Sequence, residues 1–103
     1  MNNFKTLELS QRGSGVMQIC MSRPDVFNAF DETMIAELDM AFEQLIADDK
    51  VRVIVLAGAG KHFSAGADLK WMQRASQESR EWNLADARRF AAMLSRIDSS
   101  PKP

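Results

Sequence analysis

The stretch "VRVIVLAG", Val51 to Gly58, does most to limit what this chain can fold into. Its β-branched residues form a near-continuous apolar run, which suits an interior strand covered on both faces rather than one with a wet side. The segment before it has helical spacing: Met34, Ile35, Leu38, Ala41, Phe42, Leu45 and Ile46 share one face, with Asp31 placed to cap the start. Glu32, Glu37, Asp39, Glu43 and Gln44 fill the other face. Upstream, "FKTLELSQ" and "GVMQICMS" read as two short strands around the turn "RGSG", where Gly13 and Gly15 are free to take positive φ. Strand, helix, strand in this order predicts a βαβ-type crossover, hence an α/β architecture. Pro24 breaks the pattern between them and forces Arg23 toward extended geometry.

Beyond the strand, "DLKWMQRA" predicts a short helix and "SREWNLADARRFAAMLSRID" a longer one. On the longer helix Trp82, Ala85, Phe90, Met93, Leu94 and Ile97 fall roughly on one side. "SSPKP" cannot extend it. Two hairpin strands, one crossover and one further strand leave a sheet edge and helix faces without visible cover, so the chain reads as part of a larger domain.

Composition removes several function classes. With 13 basic and 14 acidic residues, no positive excess invites nucleic acid or an anionic membrane. No apolar run is long enough to span a bilayer, and "MNNFKTLELSQ" lacks the apolar core of a signal peptide, so a cytoplasmic setting is expected. The single cysteine, Cys20, excludes an intrachain disulfide and a multi-cysteine metal site, and in its apolar strand it reads as packing. No metal site is expected.

The informative stretch is "FSAGADLK", Phe63 to Lys70, which has almost no side-chain bulk. Phosphate-loop readings fail on spacing. The third glycine of G-x-G-x-x-G would fall on Phe63, and a P-loop would need glycine at Val55 and Ser or Thr at His62. Two readings remain. Small residues can merely permit a tight strand-to-helix turn, or they can let a ligand reach unpaired N–H groups around Ala67, where an oxyanion could be held. Asp68 fits a cap of the helix that follows. The lone His62 and the polar Glu78 and Glu81 read as solvated. Lys70 and Arg74, one turn apart, fit either a phosphate contact or an exposed face. Trp71 and Met72 fit either an acyl pocket or core packing, and Arg88-Arg89 a solvated or intersubunit face.

Taken together, "MSRPDVFNAF", a helix, and "VIVLAGAGKHFSAGADLKWM" resemble the N-terminal part of the crotonase (enoyl-CoA hydratase/isomerase) superfamily. The wording "FSAGADLKWM" is most similar to methylglutaconyl-CoA hydratase-like members, which act on branched acyl-CoA. The resemblance implies the N-terminal part of a β-β-α spiral over residues 1–103, an incomplete sheet flanked by helices, usually assembled as trimers or hexamers. It implies that Ala67 gives a backbone N–H to the thioester oxygen, and that Asp25, Val26, Phe27, Ala65, Gly66, Ala67, Asp68, Leu69 and Lys70 line the CoA site. Asp25 stands where several relatives carry a basic residue. The family's second oxyanion glycine and its catalytic glutamates lie beyond the position of Pro103, so turnover is not expected of these residues alone. Coenzyme A enters as part of the substrate, and no separate cofactor is implied. The competing expectation is a non-catalytic α/β module that binds a protein partner through its uncovered edge.

Overall fold

The computed structural model describes residues 4–103. Strands β1 (Leu7–Gly13) and β2 (Val16–Met21) pair antiparallel. A turn of 3-10 helix at Pro24–Val26 leads to α1 (Glu32–Ala47), which crosses over to β3 (Val53–Gly58). β3 runs parallel to β2 with Ile19 opposite Leu56, giving sheet order β1-β2-β3. Helices α2 (Leu69–Ser76) and α3 (Arg80–Asp98) complete the described elements.

The expected α/β crossover is therefore present, with Asp31 as the α1 cap: its carboxylate accepts the Met34 N–H at 2.9 Å. The predicted apolar face of α1 is the core. Met34, Ile35, Leu38, Ala41, Phe42 and Leu45 are buried with Leu7, Ile19 and Met21 of the sheet and Met93 of α3. Glu37, which spacing alone puts on the polar face, instead accepts from the Lys5 and Thr6 N–H groups at 2.8 and 2.7 Å and ties the incoming chain to α1. Lys102 donates to the Leu45 and Asp48 carbonyls, closing the C-terminal end of α1, where cations are favoured.

Three expectations need correction. Only Gly15 of the hairpin turn takes positive φ (76°), because the register shift between Gln11 and Gly13 absorbs the rest of the bend. Among the described residues β3 is the last strand of the sheet rather than a covered interior one: Val55 is exposed, its neighbours are half-buried, and on its far side the Ile54 N–H bonds to the Pro103 carbonyl at 2.8 Å. β-branched composition reports that a strand suits burial, not which element supplies the cover. On α3, Met93 is buried, but Leu94 is 48% exposed, since that helix meets α1 along a narrower stripe than its apolar residues span.

Candidate functional site

The site begins where the end of β3 folds back on itself. A Cβ at Gly58 would lie 2.6 Å from the Phe63 carbonyl oxygen and 2.9 Å from Asn28 Nδ2, so the returning loop presses directly on the strand. Asn28 holds that loop. It is fully buried, in left-handed geometry (φ 56°), which asparagine tolerates better than most residues. Its Oδ1 accepts the Arg23 N–H at 2.8 Å, while Nδ2 donates to the Ala59 and His62 carbonyls at 2.9 and 2.8 Å. Ser64 Oγ adds a bond to the Asn28 carbonyl and accepts the Gly66 N–H.

Next, the loop runs parallel to the segment before α1. Ala65 N–H donates to the Phe27 carbonyl at 2.9 Å, Phe30 N–H to the Gly66 carbonyl at 2.6 Å, and Asp68 N–H to the Phe30 carbonyl at 2.7 Å. Phe30 thereby brackets Ala67 in a parallel bridge. In such a bridge the bracketed residue turns its own N–H and C=O to the opposite side. The Ala67 N–H takes no partner among the described residues, and Ala67 is exposed. Gly66, at φ +94°, supplies the bend that a side chain would strain.

Asp68 follows as the cap of α2. Its Oδ1 accepts the Lys70 and Trp71 N–H groups at 2.7 and 3.2 Å, and its Oδ2 accepts from Arg23 at 2.9 Å. Burial alone would push the Asp68 carboxyl upward. The Arg23 hydrogen bond, the two N–H groups and the guanidinium charge outweigh it and hold the group below its ordinary range. Arg23 also donates to the Ala29 carbonyl and pairs with Asp31 at 3.4 Å, so one guanidinium joins the caps of α1 and α2.

Two cavities meet at Ala67. The larger, about 790 Å³, is lined by Arg23, Ala29 and Met72 and by eight of the expected ligand residues: Asp25, Val26, Phe27, Ala65, Ala67, Asp68, Leu69 and Lys70. Gly66 shapes the loop but does not line it. The smaller, about 300 Å³, lies between α2 and α3 and is bounded by Ala67, Trp71, Met72, Ala75, Asn83, Asp86, Ala87 and Phe90. Trp71 is thus both core and cavity wall. Arg74 is committed to Glu32, leaving Lys70 as the exposed cation of that helix turn at the larger cavity. His62 packs edge-on against Phe27, ring centroids 5.0 Å apart, and is exposed, while Cys20 lies half-buried in β2. No group of three metal-ligating side chains occurs among the described residues.

Sequence spacing did not mark Arg23, Asn28, Asn83 or Asp86 as site-shaping residues. Asn28 bonds to residues 31 and 34 positions away, and Asp86 to one 15 away, so no local pattern reports them.

The profile of the enoyl-CoA hydratase/isomerase family matches residues 11–103. An enoyl-CoA hydratase from Shewanella pealeana superposes with a TM-score of 0.92 at 40% identity, over 97% of this chain and 37% of that one. An enoyl-CoA hydratase from Mycobacterium smegmatis gives 0.86 at 38% identity, over 95% and 37%. The peroxisomal Δ(3,5)-Δ(2,4)-dienoyl-CoA isomerase of Arabidopsis thaliana is 35% identical over 85 residues, covering 81% of this chain and 31% of its own length. The chain spans about a third of the length of the curated relatives it matches.

Proposed function

The chain belongs to the enoyl-CoA hydratase/isomerase family, and on that footing we propose that its two joined cavities bind an acyl-CoA thioester with the carbonyl oxygen at the Ala67 N–H. The single observation that carries this reading is the position of that unpaired N–H, at the junction of the larger and smaller cavities. The CoA portion lies in the larger cavity along Asp25, Val26, Phe27, Ala65 and Leu69, with Lys70 within reach of its phosphates. The acyl group enters the smaller one, whose size suits a short or branched chain, the methylglutaconyl type included.

Chemically, the arrangement supports charge on the thioester oxygen. When water adds across the α,β-double bond, hydroxyl bonds to Cβ, electron density shifts through Cα onto the carbonyl oxygen, and a proton then reaches Cα. A fixed N–H at that oxygen stabilises the enolate-like stage more than the ground state, and loss of one such donor costs roughly 10²–10³ in rate. Proton transfer needs a free carboxylate. Asp68 is bound by Arg23 and two N–H groups, Asp86 by Trp71 and Arg89, and Asp25 is exposed on the larger, CoA-side cavity. The 103 residues therefore bind and polarise the substrate without useful turnover.

Calorimetric titration with crotonyl-CoA and with free CoA tests the reading. Binding of both, tighter for crotonyl-CoA, is expected, with no hydration above a protein-free control. Absence of binding would overturn the ligand assignment, and measurable hydration would overturn the claim about turnover. The exposed Val55 side chain on β3 favours a second reading, a protein-binding module, which predicts concentration-dependent association without CoA binding.

A further inference from the structure

We propose that Asp86 is a positioning residue for the Ala67 donor, acting through the indole of Trp71; this rests on Ala67 holding the thioester oxygen. Asp86 is 5% exposed on α3, beside the smaller cavity. Its Oδ2 accepts the Trp71 Nε1–H at 2.8 Å, and its Oδ1 pairs with Arg89 at 3.4 Å. A buried carboxylate on a helix face is costly unless its oxygens are satisfied, and here the indole is the buried partner. An apolar side chain at 86 could fill the space, but it would leave the indole N–H unbonded and the ring free to turn.

From Trp71 the connection to the donor is short. The Trp71 backbone N–H bonds to Asp68 Oδ1, and the Asp68 N–H bonds to the Phe30 carbonyl in the bridge that turns Ala67 outward. Aromatic contacts make a second route. Phe90 meets Trp71 edge-on at 5.7 Å and Phe30 at 5.6 Å, so one α3 side chain touches both Trp71 and the bridge residue Phe30. The buried Trp71–Asp86 hydrogen bond therefore steadies both the wall of the smaller cavity and the helix start that adjoins the bridge, and small displacements of such a donor are enough to weaken catalysis.

The test is the amide resonance of Ala67 in the ¹⁵N-labelled, unliganded 103-residue chain. Asp86→Ala, which keeps the indole ring, should move that resonance well outside its linewidth. In the Trp71→Phe background, where loss of the ring current itself shifts Ala67, adding Asp86→Ala should move it no further, because the link is already broken. Asp86→Asn keeps an acceptor for the indole and should restore the wild-type position. The Gly13 amide, in the distant hairpin, should stay in place in all four, which separates positioning from general loosening. Should Asp86→Ala fail to fold, Asp86→Asn decides the matter. An unmoved Ala67 amide in folded Asp86→Ala, a further shift in the double variant, or a displaced amide in Asp86→Asn overturns the proposal. Failure of the wild-type chain to bind crotonyl-CoA would remove the ligand reading, while the Ala67 shifts would still settle whether Asp86 positions that donor.

Discussion

Asn28 shows how much of the site rests on one side chain. Its amide, itself fully buried, makes three bonds to backbone groups. Asn28→Asp turns the Nδ2 donor into an oxygen facing two carbonyls, and should cost about 3 kcal/mol or more in urea unfolding, since buried unsatisfied groups cost roughly 1–3 kcal/mol each. Asn28→Gly keeps the left-handed backbone but leaves a void and the same three backbone groups without their partner, so it should cost a similar amount. At the mouth of the larger cavity, Asp25→Lys should tighten CoA binding two- to five-fold, about 0.5–1 kcal/mol for an exposed charge, and the gain should shrink with added salt. The loop around Ala67 stood out in the sequence because its residues have little bulk, which left a plain tight turn equally open, and only the family resemblance singled out Ala67. Asn28 stood in a recognisable motif, yet its work was hidden, because its partners arrive only when β3 and the loop return. Asp86 gave no signal, being one acid among the charged residues of α3 until Trp71 lands on it.

At the scale of elements, the start of α2 is fixed by Asp68 rather than by helix propensity. The folded Asp68 carboxyl lies below its ordinary value. Its contribution to stability is thus fully present above the unfolded value, near pH 4, and is lost as pH falls through the lower folded value. Urea midpoints compared between about pH 7 and about pH 3 should fall in the wild type and fall less in Asp68→Asn. Gly58→Ala should cost about 1–3 kcal/mol, because its Cβ would meet loop backbone that has nowhere to move. Gly13→Ala, whose Cβ meets nothing within 4 Å, serves as the control in the same melts. Helix and strand identities followed from periodicity, since a 3.6-residue or β-branched pattern is local. The cover of β3 is not local, so among the described residues Val55 is exposed where burial on both faces was expected.

Over the described residues, the exposed Val55 of β3 and the cleft at Ala67 lie on the same small body. Sedimentation should show the 103-residue chain associating as concentration rises, and Val55→Lys should weaken that association while leaving crotonyl-CoA affinity unchanged. The result would separate the exposed β3 side chain from the ligand site. The central claim is that a lone backbone N–H at Ala67 meets the thioester oxygen. Infrared difference spectra of crotonyl-CoA, ¹³C-labelled at the carbonyl and bound to this chain, test it most directly. A carbonyl band displaced to lower frequency than in water, and returning toward the free value when an ester link replaces the Ala67 amide, is the predicted result. A bound band that matches free crotonyl-CoA would contradict it.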